Sequence, residues 1–179
     1  MNDASANRFE RPLVAWLGDD FTGAAAVMEV LSFAGLPSIL YLSPPGPEAL
    51  AESKGLLGIG VATLARSQSP RWMEGNLPPI YEFLDQTGAE FAHYKICSTL
   101  DSSPQVGSIG KAIDLGRQHF GAHPVPVITA APEMRRYQAF GSLFCSEADG
   151  VHRLDRHPVM AHHPVTPMAE DDVARLLAE

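Results

Sequence analysis

Short apolar runs alternate with amphipathic stretches along most of the chain. Leu13-Val14-Ala15-Trp16-Leu17 is too short for a helix and ends in Gly18-Asp19-Asp20, so it reads as a buried strand leading into a turn. The period then changes. Between residues 22 and 34, Val27, Leu31 and Ala34 recur at helical spacing in Ala-rich sequence, and Gly35 supplies a stop. Further strands are predicted at 38–42, 56–62, 91–97 and 125–129. A short helix is predicted at 47–53. Residues 79–87 form part of another, with Ile80, Phe83 and Leu84 on one face, and 104–120 is the clearest, with Val106, Ile109, Ile113 and Phe120 at its period.

Beyond Pro132 the pattern weakens. Residues 137–144 read as one more strand, and 151–167, with Pro158, Pro164 and Pro167, as an extended, stiff connection. A last helix is expected to take Thr166 as N-cap and Pro167 at its first position, with Glu170, Asp171 and Asp172 near its positive end. Its apolar face, Val173, Leu176 and Leu177, runs into the terminus, which reads as a fragment rather than a finished chain. Strands alternating with helices predict an α/β fold: an open, mostly parallel, doubly wound sheet with helices on both faces.

Composition narrows the class. A chain of 179 residues, 45% hydrophobic and 19% charged, can bury a core without disulfides, which argues against disorder. Thirteen basic against 21 acidic residues give a net charge of −8, the wrong sign for tracking a phosphate backbone, so no nucleic-acid partner is expected. Apolar runs fall far short of the roughly 20 residues a membrane span requires. Residues 1–11 are polar and carry both charge signs, which reads as the disordered leader of a cytoplasmic protein, with residues 12–179 as the folded domain. Cys97 and Cys145 have no CxxC spacing, and each reads as a small buried apolar residue.

In open α/β sheets ligands bind beyond the carboxyl ends of the strands, and these ends carry polar residues here. The first strand delivers Asp19 and Asp20 directly before Thr22-Gly23, where a helix begins. Paired carboxylates at a helix N-terminus suit a general base, although Asp20 or Thr22 acting simply as a cap is an equal alternative. The third strand leads to Arg66, which could grip a carboxylate or merely make a surface ion pair. The fourth ends in Lys95-Ile96-Cys97-Ser98-Thr99, and the fifth runs into Glu133-Met134-Arg135-Arg136. Cations, carboxylates and hydroxyls at one sheet edge imply a pocket for a small polyhydroxy anion.

Asp19-Asp20-Phe21-Thr22-Gly23-Ala24-Ala25, Thr63 with Arg66, Tyr94 through Leu100, Ala131-Pro132 through Arg136, and Gly141 resemble, in order, the N-terminal domain of the four-carbon acid sugar kinase family. The resemblance implies an ATP-dependent kinase of erythronate, threonate or 3-oxo-tetronate type. Its N-terminal domain holds the sugar acid and a separate C-terminal domain, absent from this chain, binds ATP with Mg; the fragment alone would be inactive. By resemblance, Asp20 accepts the proton of the attacking hydroxyl, with Asp19 and Thr22 placing it. Arg66 and Lys95 neutralise the substrate carboxylate or the transferred phosphoryl group, aided by Ser98, Thr99 and Arg136. A homodimer is left open. Where most of the family reads K-x-D-S-T-L-R-G, this chain has Cys97, Asp101 and Ser102 for the acid, arginine and glycine, and Arg135 replaces a glycine before Arg136. These departures imply a branch that handles a different sugar acid.

No GxxxxGK[ST] or GxGxxG string is present, and Gly107-Ser108-Ile109-Gly110-Lys111 lacks the phosphate-loop spacing. His152, Asp155, His157, His162 and His163 match no standard metal spacing, so no metal is expected, and their segment reads as a stiff loop over the substrate edge or toward a second domain. Two other classes stay open: a non-catalytic sugar-acid-binding or interaction module, and a phospho-receiver-like signalling domain. The receiver would need an acid at the end of the third strand, where Val61-Ala62-Thr63-Leu64-Ala65 has none.

Overall fold

Four short strands pair in parallel in the computed structural model, which describes residues 11–178. The expected leader lies almost entirely outside those residues. The chain divides into two compact units, one formed by residues up to 65 together with 76–95, the other by 66–75 together with the residues from 96 onward.

The first unit contains β1 (Val14–Gly18), β2 (Ser38–Tyr41), β3 (Gly58–Ala62) and β4 (Phe91–Lys95), in the order β2-β3-β1-β4. Helix α1 (Phe21–Phe33) packs on the sheet, and it sits close where β1 and β3 carry glycine. A Cβ on Gly18 would lie 2.4 Å from the Ala24 Cβ. One on Gly60 would strike the Trp16 ring, whose indole N–H donates to the Ala24 carbonyl at 3.1 Å. On the other face Ala15, Leu17, Ile59 and Val61 are buried. As the sequence predicts, Gly35 stops α1: it is left-handed at φ 78°, and the Leu36 N–H reaches back to the Leu31 carbonyl. Helix α2 (Pro47–Glu52) follows β2.

Helix α3 (Pro70–Gln86) begins in the second unit and continues in the first, starting nine residues before the predicted 79–87 segment. Ser69 caps it, its hydroxyl accepting the Trp72 N–H at 3.3 Å, with Pro70 at the first position, where a missing N–H costs nothing. Pro78 and Pro79 lie inside the helix, a placement that propensity argues against. Burial of Leu77, Ile80, Tyr81 and Leu84 on one face overrides it.

The second unit corrects several expectations. Residues 125–129 form no strand. Instead the Gln138 carboxamide takes the ladder's place, accepting the Thr129 N–H at 3.0 Å and donating to the Val127 carbonyl at 3.2 Å. The predicted strand at 137–144 is a hairpin, β5 (Arg136–Ala139) and β6 (Ser142–Glu147), turning at Phe140 and Gly141, both with positive φ as a tight two-residue turn demands. β7 (Gly150–Arg153) completes an antiparallel meander where an extended connection is predicted. Helix α4 (Ile109–Phe120) starts at the Ser108 cap rather than at 104, because Ser103 and Val106 close a turn ahead of it. The last helix, α5 (Val173–Leu177), is capped by Asp172, while Thr166 bonds to His163 instead. Leu100, Ile109, Leu143, Leu154, Met160, Met168 and Val173 form this unit's core. No described helix is long and apolar enough to cross a membrane.

Candidate functional site

β1 is central in its sheet: β3 and β2 lie to one side and β4 to the other, so the topology switches direction between β1 and β4. Crevices at such switch points, beyond the strands' carboxyl ends, are where α/β sheets bind ligands. Gly18 and Lys95 are register partners there, and the Asp19 N–H donates to the Lys95 carbonyl at 3.0 Å, which fixes the two strand ends together. Thr63 ties in the end of β3, its hydroxyl donating to the Gly18 carbonyl at 2.8 Å.

On this frame Asp19 is buried, 2% exposed, and Asp20 is the N-cap of α1, its Oδ1 accepting the Gly23 N–H at 2.7 Å. The capping alternative raised by the sequence is therefore met, and it places the carboxylate rather than removing it from consideration. A Cβ on Gly23 would lie 2.5 Å from Asp20 Oδ1 and 3.6 Å from Lys95 Cγ. The lysine side chain thus runs beside the first turn of α1 and its capping carboxylate. Thr22 is exposed in that turn. A carboxylate, an ammonium-bearing side chain and the positive end of a 13-residue helix meet at one strand-end crevice.

Arg66, Ser98, Thr99 and Arg136 belong to the second unit. Arg66 sits in a 3-10 turn after β3, against Gly107: a Cβ there would lie 2.2 Å from the Arg66 carbonyl oxygen, and the Gly107 N–H donates to Gln68 at 2.9 Å. Ser98 and Thr99 are half-buried in the turn that leaves β4, and Thr99 donates to Asp101 Oδ2 at 2.8 Å. Arg136 opens β5 and gives one N–H to the Met134 carbonyl at 3.2 Å. Arg135 stands at φ 56° and Leu100 at φ 55°. The first explains why glycine is expected before Arg136, since the chain there is left-handed.

Residues 14–179 match the family model described as the sugar-binding N-terminal domain. The chain belongs to that family. A 3-oxo-isoapionate kinase of Paraburkholderia graminis is 48% identical to this sugar-binding domain over 167 residues, 93% of this chain but 35% of the relative. A 3-oxo-tetronate kinase of Pseudomonas fluorescens is 29% identical over 169 residues, 93% of this chain and 37% of the relative. The domain therefore spans little more than a third of the length of these relatives. A solved structure from Salmonella typhimurium LT2 matches with a TM-score of 0.80 at 26% identity, over 94% of this chain and 38% of that one. A Bordetella bronchiseptica domain, solved with citrate as a domain-swapped dimer, matches at 0.74 with 23% identity over 93% and 40%. The α/β fold with a parallel sheet is common ground with these neighbours.

One cluster among the described residues has metal-ligand reach: Cys145 Sγ, a Glu147 oxygen and a His157 ring nitrogen lie within 4.8 Å of one another. Its hydrogen bonds argue against an ion. His157 Nδ1 accepts the N–H groups of Val159 at 3.1 Å and Met160 at 3.2 Å, so the ring proton sits on Nε2 and points at Glu147 Oε1, 2.8 Å away. A metal would need that nitrogen's lone pair. Burial pushes the Cys145 thiol up. The cluster instead latches β6 to the turn that holds His157. Bonding to His157, then to Cys145, holds the Glu147 carboxyl below its ordinary 4.5. A depressed acid stabilises the fold above that ordinary value and loses the contribution as pH falls through the folded value. The urea midpoint is thus expected to drop with acidification below about pH 4.5, and to drop less in Glu147→Gln; equal slopes for the two proteins would show that the bond is unlinked to folding.

Proposed function

We propose that the chain is the sugar-acid-binding part of an ATP-dependent kinase that phosphorylates a hydroxyl of a small, tetronate-like sugar acid. The observation that carries this reading is the convergence of Asp20 and Lys95 at the N-terminus of α1, at the β1/β4 switch point. Phosphoryl transfer demands positioning and charge neutralisation more than covalent chemistry. Asp20, fixed by its bond to Gly23, accepts the proton of the attacking hydroxyl. Lys95 neutralises the acid's carboxylate or the phosphoryl group in transit. Asp19, buried behind Asp20, and Thr22, in the first helical turn, position the base. For Arg66, Ser98, Thr99 and Arg136 the proposal rests on the family resemblance alone, which implies that they bind the substrate. Relatives named as kinases of 3-oxo-isoapionate and 3-oxo-tetronate support the substrate class.

Asp20 caps α1 and Ser108 caps α4 through their own side chains. ATP with Mg is assigned in this proposal to the additional length that the relatives possess.

Melting the chain with increasing erythronate or threonate tests the reading. A ligand that binds the folded state alone adds about 2.7 kcal/mol at a hundredfold excess over its Kd, so the melting temperature should climb with concentration. A melting temperature that no tetronate moves would sink the proposal.

A further inference from the structure

We propose that the meander of β5, β6 and β7, with Phe140 at its tip, is the surface on which the rest of a full-length kinase seats; this rests on the reading above that the chain is one part of such a kinase. The register divides the meander into two faces. Leu143 and Cys145 are buried on one of them. On the other, Tyr137 stands opposite Phe144, Phe144 opposite Arg153, and Val151 opposite Ser146. Tyr137 is 41% exposed and Val151 62%. Arg153 is the one charged side chain that these strands place on this face, and it is already engaged. It bonds both Asp155 oxygens, at 3.2 and 2.8 Å, and lies 3.3 Å from Asp171. On a chain of net charge −8, an aromatic and aliphatic face whose charge is paired is suited to meet apolar surface rather than water.

Phe140 and Gly141 form a two-residue hairpin loop with φ 53° and 84°, a turn that favours Asn-Gly because both central residues are left-handed. A bulky residue is disfavoured in that conformation, and the Phe140 ring is fully exposed. With its ring wholly in solvent, Phe140 adds no packing within the chain that asparagine would lack. A large apolar group held out on a tight turn has the form of an anchor for a pocket on a partner.

The path of the chain points to the occupant. Residues 171–173 pair with the start of β6 beside the tip: the Leu143 N–H donates to the Asp171 carbonyl at 3.3 Å, and the Val173 N–H to the Gly141 carbonyl at 2.9 Å. Helix α5 starts at that pairing and spans only about 7 Å, so the last described residues lie close to Phe140. The matched family is described as an N-terminal domain, and the chain covers 35% and 37% of the two kinases compared above. In proteins of that build the longer part follows from this end, beside the apolar face, and a tethered partner meets such a face at high effective concentration. The surface it presents is apolar, uncharged at its centre and pocketed for a phenyl ring.

The test compares this chain with a full-length kinase that carries it, each as parent, Phe140→Asn and Val151→Lys, in the absence of ligand. In the chain, Phe140→Asn should melt at or above the parent temperature, since asparagine suits the turn. In the full-length kinase, the amides of β5 to β7 should exchange with solvent at least about tenfold more slowly than in the chain, and each substitution should return them to the chain's rate. Equal exchange in the two parents, or protection that survives both substitutions, overturns the proposal. A lower melting temperature for Phe140→Asn in the chain shows that the ring serves the fold and overturns it too. So does a chain that sediments as a dimer and becomes monomeric in Phe140→Asn, which gives the face to a second copy. The sugar-acid reading is decided separately, by the tetronate melts, so the two can fail independently.

Discussion

Asp20→Asn, introduced into a full-length kinase that carries this domain, is expected to cut kcat by about 10²–10⁴-fold and to leave the melting temperature where it was. Asp20 has two duties, and the substitution separates them. Its Oδ1 caps α1 by accepting the Gly23 N–H at 2.7 Å. Asparagine caps as well as aspartate, so the helix keeps its start. What asparagine cannot do is take up the proton of an attacking hydroxyl. Asp20→Ala removes both functions and should add a stability loss of about 1 kcal/mol to the same kinetic defect. Steady-state kinetics beside thermal melts on the two variants decide the matter. An Asp20→Asn enzyme that turns over at the parent rate would reduce Asp20 to a cap.

Leu143→Ala should cost about 2–5 kcal/mol of folding free energy. Leu143 is on β6 with no exposed surface, and it belongs to the second unit's core with Leu100, Leu154 and Met160. Its backbone is pinned from the other direction, the N–H donating to the Asp171 carbonyl at 3.3 Å. A neighbour would have to shift to fill the space, and the strand is held against doing so. Urea unfolding followed by circular dichroism measures the loss; a midpoint that moves by no more than that of a surface substitution would mean this core collapses freely around the cavity.

The first unit was largely legible because its signals are local. A five-residue apolar run ending in Gly-Asp-Asp, a helical period ending in Gly35, and two further apolar runs each specify one element, and the parallel order follows from their alternation. What escaped depends on partners distant in sequence. Residues 125–129 have the composition of a strand, but the Gln138 side chain supplies the hydrogen bonds a neighbouring strand would have given. The hairpin at Phe140-Gly141 was hidden because phenylalanine is a poor sign of a left-handed turn. The early start of α3 was masked by two prolines whose cost the buried face outweighs. At the site, the sequence pointed to Asp20 and Lys95 as strand-end residues, and the β1/β4 register pairs those strand ends. It gave no means of telling that Arg66, Ser98, Thr99 and Arg136 belong to the second unit, since that depends on packing between residues distant in sequence.

The indole of Trp16, lying across Gly60 and bonded to the Ala24 carbonyl, is a spectroscopic probe already installed against the opening turns of α1. The chain has one other tryptophan, Trp72, at the start of α3. With Trp72 replaced by phenylalanine, emission from the sheet interior would report the electrostatic state of the α1 N-terminus directly. Occupancy of the crevice could then be followed in real time, with no label and no coupled assay.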